Sequence, residues 1–345
     1  MDKPFSMKRR DFISTALVAT ITTSSSLTVK AANKSQRQSL DATALADFST
    51  AASHIERLHS AVISSAGEVV LSKAFRGPAP NKAVNVKSVS KSLVATLVGA
   101  AQQRGVIKSV TQTLDELVPS LIPNGSDPRV AKLSLEDLLT MRAGLERVSG
   151  PAYGRWVNSN NWVNYVLTRP FIAEPGTRML YSTGDTHVVG AVLTSLTGKS
   201  LHSLSNSWLG KPLGINFPPW TRDPQGFFLG GNEMSLSPEH LVKIGQLYLS
   251  GGSYQGTQIL STEWVEQALT ARTRSPFSGD GYGFGWFIRD MDGVMAAYAR
   301  GFGGQVMHVI PERDLVVAMT SDTTKRARSN GYMKVLHDLV ERHLV

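Results

Sequence analysis

The chain of 345 residues contains no cysteine, so it has neither a disulfide nor a cysteine that could carry a lipid. Beyond its amino terminus there is no apolar run of membrane-spanning length and no repeat period. No basic stretch is interleaved with aromatics in the manner of a nucleic-acid site. A Gly-x-Ser-x-Gly elbow is missing, and so is a His-Glu-x-x-His metal motif. The eight histidines are scattered, and His187 reads as a helix residue rather than a ligand. Thr197-Gly198-Lys199-Ser200 ends like a phosphate loop, but Leu193 stands where that loop requires its first Gly. Nothing in this pattern implies a cofactor, a metal, a nucleic-acid partner or a stable membrane anchor.

The amino terminus carries a signal of its own. Met7-Lys8-Arg9-Arg10-Asp11-Phe12-Ile13 is a basic patch, followed by a modest apolar run to Val29 and the small residues Ala31-Ala32. A charged start, a short apolar run and a small-residue exit predict a secretory signal over residues 1–31. The paired arginines resemble a twin-arginine signal. The precursor would then meet the twin-arginine export machinery, and the mature protein would be periplasmic or secreted. An exported chain without disulfides rests on its core alone, and at this length it can bury one. Without residues 1–31 the chain keeps 31 basic and 25 acidic side chains, a net +6. Its one basic cluster, Lys325-Arg326-Ala327-Arg328, reads as a solvated turn.

Along the rest of the chain the apolar period changes twice. After a polar stretch (Asn33 to Ser53), two strand-like runs, His59 to Ser65 and Glu68 to Phe75, flank Ala66-Gly67 and predict a β-hairpin. Arg76 to Val84 is a loop. Ser134 to Met141 is a short capped helix, and from there to about Thr273 the pattern is helical segments and Gly/Pro/Asn loops. Pro238 to Leu249 is a helix with Leu241, Ile244, Leu247 and Tyr248 on one face. Tyr282 to Ile288 reads as one strand. Gln305 to Ile310 and Leu315 to Thr320 read as two more, joined at Pro311-Glu312-Arg313-Asp314. A last helix buries Tyr332, Val335, Leu336, Leu339, Val340 and Leu344. Strands at both ends with helices between predict an α+β fold: a sheet from about 55–115 and 275–345, with a helical region over about 116–274.

The stretch around which this is organised is Val86 to Ala101. Val89, Leu93, Val94, Leu97, Val98 and Ala101 recur at helical spacing on a wide face, as in a core helix. Ser88 stands where a Ser often caps a helix, and Lys91 lies one turn along. A helix amino terminus favours developing negative charge, and burial favours a neutral amine. Ser88 can then be a nucleophile and Lys91 its proton acceptor. Alone, the tetrapeptide is common, and a capping Ser followed by a solvated Lys also satisfies it. Two further features are compatible with chemistry or with plain packing. Tyr181, just before an apolar helix from His187 to Leu196, could carry a proton next to a cation. Arg300-Gly301-Phe302-Gly303-Gly304-Gln305 runs glycines into a strand, where backbone N–H groups could meet an oxyanion.

Taken together the motifs resemble a family. Ser88-Val89-Ser90-Lys91, Leu135 to Leu145, Pro175-Gly176-Thr177 with Tyr181-Ser182-Thr183, Tyr282-Gly283-Phe284-Gly285-Trp286, and Gly301-Phe302-Gly303-Gly304-Gln305 occur in the order seen in serine β-lactamase-related hydrolases. These include class C β-lactamases, DD-peptidases, related esterases and 6-aminohexanoate-dimer hydrolases. The likeness spans roughly residues 55–345. It implies one β-lactamase/transpeptidase-like catalytic domain over 32–345, a mainly antiparallel sheet flanked by helices with an inserted all-helical region. It also implies an exported serine hydrolase acting on a small-molecule ester or amide. Ser88 would be acylated, Lys91 would activate it and Tyr181 would relay a proton to the leaving group. The amides of Ser88 and of the strand near Gly304-Gln305 would form the oxyanion hole. A catalytically silent, penicillin-binding-like sensor keeps the same fold. Two departures bear on substrate. Thr183 stands where the family's second motif usually has Asn. Aligned on Gly303, the third motif holds Gly301 where Lys or His is usual, with Arg300 as the one nearby replacement. Recognition of β-lactams and cell-wall peptides, whose carboxylate the family meets with that cation, is thereby put in doubt.

Overall fold

In the computed structural model, which describes residues 40–325 and 331–345, the strand-forming runs from the two ends of the chain meet in one eight-stranded sheet. The signal-like segment and Arg326 to Arg328 lie outside the described residues. Helix α1 (Ala42–Ser53) comes first, with the Asp41 carboxylate accepting from the Ala44 N–H. Strands β1 (Leu58–Ser65) and β2 (Glu68–Ala74) form the expected hairpin, with Ser65 opposite Glu68. The turn residues Ala66 and Gly67 have φ of 52° and 88°, a pair of left-handed residues whose twist matches that of the flanking strands.

Helices α2 (Ser90–Gln103), α3 (Leu135–Leu139), α4 (Thr183–Thr197) and α5 (Pro238–Leu249) follow. The chain returns to the sheet as β3 (Thr273–Arg274), β4 (Gly281–Tyr282), β5 (Phe287–Met291), β6 (Val294–Gly301), β7 (Gln305–Ile310) and β8 (Leu315–Ser321). Helix α6 (Tyr332–Leu344) closes it. Across the sheet the order is β2-β1-β8-β7-β6-β5-β4-β3, so the last long strand pairs with the first. Side chains alternate between two cores. Val316 and Ala318 join the core that holds α2 and α5, while Val317 and Met319 join Phe48 of α1 and Leu336 of α6 on the other face. Every residue of α2 from Ser90 to Ala101 is buried, the mark of a helix lying inside the molecule rather than on it. Among the described residues no helix is long and apolar enough to cross a membrane.

Four local expectations are corrected. The polar stretch to Ser53 contains α1, whose buried stripe is only Phe48 and Ala52. Tyr282 to Ile288 is not one strand but two short ones around a turn, closed by Gly283 N–H donating to Trp286 O at 2.9 Å. Gly285 supplies the φ of 78° that this turn needs. Strand β6 had no sequence signal, because its Ala-rich run Ala296-Ala297-Tyr298-Ala299 has weak strand propensity. In α6, Val335 is 41% exposed, and Met333 and His337 are buried instead.

Candidate active site

Helix α2 does not begin at Ser88. Lys87–Val89 form a 3-10 turn and the α-helix starts at Ser90, with no side-chain cap. Ser88 therefore caps nothing. The capping-like bonds belong to Ser90, whose hydroxyl donates to Lys87 O at 2.7 Å and accepts from Met234 N–H at 3.2 Å. Lys87 has a φ of 54°, a strained conformation for a residue with a side chain. Asn85 Oδ1 holds it by accepting its N–H at 2.9 Å, and Glu233 pairs with its Nζ at 3.2 Å. This leaves Ser88 half-buried and hydrogen-bonded to Lys91, whose Nζ lies 3.1 Å from Oγ.

Lys91 is 2% exposed. Its Nζ reaches three oxygens: Ser88 Oγ, Thr183 Oγ1 at 3.2 Å and Gly231 O at 2.7 Å. Burial lowers its pKa from the ordinary lysine value, against the opposing pull of Tyr181 and Asp185. A neutral amine has two N–H bonds and one lone pair. Gly231 O can only accept, so it takes one N–H, and the Thr183 hydroxyl can take the other. The lone pair is then left for the Ser88 hydroxyl proton. Thr183 is itself fixed: Ser149 Oγ accepts its N–H at 2.7 Å and lies 2.9 Å from its Oγ1.

Tyr181 lies just before α4. Lys91 Nζ sits 5.0 Å from its ring centroid. The ring stacks on Phe287 at 6.2 Å and meets Tyr282 edge-on at 6.4 Å. The backbone here is anchored by Leu180 N–H donating to Met141 O at 2.7 Å, just after α3, which Ser134 and Asp137 cap reciprocally. One turn into α4, burial pushes Asp185 up to about 7, opposed by the Ser182 hydroxyl and by Lys91.

The glycine segment touches the site through Gly301. A Cβ there would meet Val86 O at 2.3 Å and Lys87 Cβ at 2.9 Å, so only Gly lets β6 lie against the turn that carries Ser88. Strand β5 pairs with β6 only as far as Tyr298 opposite Phe287. Among the described residues, Ala299 to Gly301 thus pair with no strand on that side, where Gly301 meets the turn that carries Ser88. Gly303 and Gly304 face elsewhere, against Thr323 and Tyr332. The buried Gln305 amide exchanges bonds with the Ser321 backbone at 2.7 and 3.3 Å. Alignment on Gly303 is therefore replaced by alignment on Gly301, which puts Ala299 in the place of the usual cation. The Arg300 guanidinium lies 4.5 Å over the Phe287 ring, the ring on which Tyr181 stacks. The fold brings Ser88, Lys91, Tyr181 and Thr183 together with Arg300 one ring away. It leaves Gly303, Gly304 and the Gln305 side chain in the hairpin and the sheet.

Sequence reasoning missed Gly231, Ser149, Asp185 and the support of the Gly231 loop. His187 Nε2 is 3.1 Å from Asp223 Oδ2, both fully buried, and His187 Nδ1 accepts from Gly230 N–H at 3.4 Å. A Cβ on Gly230 would sit 2.3 Å from Thr186 O, so the glycines press this loop against α4. A cavity of about 450 Å³ opens beside the cluster, lined in part by Tyr181, Ser149, Arg147 and Phe277. Among the described residues no group of three or more His, Cys, Asp or Glu could hold a metal ion.

The family model described as Beta-lactamase matches residues 55–341. The 6-aminohexanoate-dimer hydrolase of Paenarthrobacter ureafaciens is 26% identical over 228 residues, which is 63% of this chain but only 58% of that protein's length. EstCE1, described as a hydrolase with promiscuous acyltransferase activity, superposes with a TM-score of 0.70 at 18% identity, covering 87% of this chain and 99% of its own. A class C beta lactamase from Rhodobacter sphaeroides gives 0.63 at 17% identity, covering 88% of this chain and 100% of its own. At such identities the structural likeness speaks for the fold.

Proposed function

The chain belongs to the beta-lactamase family, and from that premise we propose that it is a serine hydrolase cleaving an ester or amide through an acyl-enzyme on Ser88. The observation that carries this reading is the buried Lys91, which two acceptors turn so that its lone pair meets a half-exposed Ser hydroxyl. Lys91 takes the Ser88 proton as Oγ bonds to the substrate carbonyl carbon. The tetrahedral oxyanion is held by backbone N–H groups at Ser88 and along the unpaired edge of β6 near Gly301. The proton passes to the leaving group through Tyr181 as the carbon–heteroatom bond breaks. Water then repeats the sequence on the acyl-enzyme: it loses a proton to the same pair, adds to the carbonyl, and Ser88 leaves reprotonated.

The third motif offers Ala299 where a carboxylate would be met, so small neutral esters and linear amides are favoured over β-lactams. The Paenarthrobacter relative is itself described as a hydrolase of a 6-aminohexanoate dimer. Fluorophosphonate labelling mapped by mass spectrometry tests the mechanism. Ser88 should carry the label, and Ser88→Ala should lose label and turnover while folding normally, since the hydroxyl caps no helix. Short p-nitrophenyl esters should show higher kcat/KM than nitrocefin. A wild-type protein that takes no label and turns over no ester would instead be a binding or sensing member of the fold. The proposed place of action is the periplasm or outside the cell, on the strength of Arg9 and Arg10. Replacing both by Lys should hold the precursor in the cytoplasm, and continued export in a strain lacking the twin-arginine translocon would exclude that route.

A further inference from the structure

Lys91 is a base only while its lone pair is kept for Ser88, and one of the two groups that turn it is a hydroxyl. Gly231 O can only accept. The Thr183 hydroxyl, 3.2 Å from Lys91 Nζ, can equally well donate. Turned that way, its hydrogen would occupy the lone pair that the Ser88 proton needs. An amide side chain at this position could present a carbonyl oxygen, which has no such choice. A threonine needs a second group to decide for it.

Ser149 is placed to be that group. It precedes a 3-10 turn, Gly150–Ala152, that its side chain does not cap. Its oxygen goes instead to the start of α4, which Ser182 leaves without a side-chain cap. Thr183 N–H donates to Ser149 Oγ at 2.7 Å, and the two hydroxyl oxygens lie 2.9 Å apart. Two contacts keep the segments in register. Val148 N–H donates to Ser182 Oγ at 3.4 Å. A Cβ on Gly184 would meet Val148 Cγ2 at 2.5 Å, so the missing side chain lets this loop lie on α4. Thr183 is 4% exposed, and among the described residues its Oγ1 bonds to Lys91 and Ser149 alone. Its single hydrogen must serve one of the two. Ser149 Oγ has two lone pairs, one for the Thr183 N–H and one for the Thr183 hydroxyl. Its own hydrogen is then left for the cavity that Ser149 lines with Tyr181.

We propose that Ser149 is a positioning residue for the general base: it takes the Thr183 hydroxyl hydrogen, so that Thr183 accepts from Lys91 and the amine lone pair stays turned to Ser88. Donors then run one way, from Lys91 to Thr183 to Ser149. The proposal rests on the hydrolase reading for its effect on turnover, but not for the direction of these bonds.

A double-mutant cycle tests it on the full chain. For a neutral p-nitrophenyl ester, Ser149→Ala should lower plateau kcat/KM by about 10–100-fold, the scale of one misdirected buried hydrogen bond. In a Thr183→Val background there is no hydroxyl to misdirect, and the same change should cost at most about twofold. The N–H at position 183 loses its acceptor in both backgrounds, so that loss cannot produce the difference. An equal cost in both backgrounds overturns the proposal. The pH profile adds a readout with a sign. A hydroxyl that donates to Lys91 favours the neutral amine, so the acid limb of Ser149→Ala should move to lower pH as the plateau falls. Water entering a loosened site would ease the desolvation that lowers Lys91. The limb would then move upward, which also overturns the proposal. Tyr181 and Asp185, the titratable groups that act on Lys91, are the same in both proteins. If the wild type hydrolyses no ester, it is the hydrolase reading that fails. The pKa of Lys91 is then read directly by NMR of isotope-labelled lysine, with Lys91→Ala identifying its signal. Ser149→Ala should lower that pKa, and the Thr183→Val background should cancel the shift. A Lys91 pKa that Ser149→Ala leaves in place or raises overturns the proposal.

Discussion

Two buried polar clusters sit against the same sheet, and they are built from similar groups. One is the set around Lys91. The other lies under α6, where Tyr298 donates to Asp280 Oδ2 at 2.5 Å and Asp280 pairs with Arg289 at 3.2 Å. Beside them the His308 and His337 rings share a hydrogen bond of 2.9 Å. Burial acts alike in both clusters. It lowers Lys91, pushes Asp185 up to about 7 and drives His308 down to about 3, with His337 also lowered and Tyr298 raised. In the second cluster the shifts keep the two histidines and Tyr298 neutral in the core, with no nucleophile beside them. In the first, burial favours a neutral amine within hydrogen-bond reach of a half-buried Ser hydroxyl. A displaced pKa therefore marks chemistry only where a reactive group has both a partner and a path to solvent.

Single substitutions can break this comparison. The largest effect belongs to Lys91→Ala, which should lower the rate of Ser88 acylation by several orders of magnitude, general-base contributions of about 10²–10⁴ setting the scale. The same chemical change can then be made in each cluster. Tyr181→Phe should lower turnover strongly and barely move the melting temperature, because its ring packing on Phe287 survives. Tyr298→Phe should do the reverse: kcat/KM holds, and stability falls by about 1–3 kcal/mol as Asp280 loses a buried donor. Steady-state kinetics and denaturant titration on the two variants read both axes. A Tyr181→Phe enzyme with wild-type turnover would remove Tyr181 from the mechanism, and a Tyr298→Phe enzyme with damaged turnover would erase the distinction between the clusters.

How far each part was legible follows from where its information resides. The nucleophile helix could be read directly, since an apolar face at i, i+3 and i+4 behind a Ser-x-x-Lys is a local pattern. The first hairpin was legible from Ala66-Gly67, whose turn chemistry is local as well. Gly231 was not, because it acts through a backbone carbonyl that every residue possesses, and only the fold carries it to Lys91 from far along the chain. The third motif failed for a different reason. Gly301, Gly303 and Gly304 offer several equivalent registers in sequence, and only the contact of Gly301 with Val86 O selects one. Strand β6 was hidden because its alanines are strand-neutral until β5 and β7 pair with them.

The smallest expected effect sharpens the comparison most, because it concerns a group that the proposed chemistry does not use. Asp185 is buried two residues after Thr183, and its anionic form pulls the Lys91 pKa upward, against desolvation. Catalysis by the free enzyme requires neutral Lys91, so kcat/KM falls on the acid side as Lys91 gains its proton. Asp185→Asn removes the anion while keeping an acceptor for the Ser182 hydroxyl. The acid limb of kcat/KM for a neutral ester should then shift to lower pH by a fraction of a unit, with little change on the plateau. Stability gives an independent reading of the same residue. The folded pKa of about 7 stands above the ordinary 3.8, so the folded state holds this proton more tightly than the unfolded chain. Its contribution to stability is therefore full below about pH 4 and is lost as pH rises toward 7. Asn does not titrate, so the variant should lose that slope. An acid limb that stays in place or moves upward while the stability slope disappears would show that Asp185 ionises in the core without reaching Lys91, making the site cluster no more coupled than the one beneath α6.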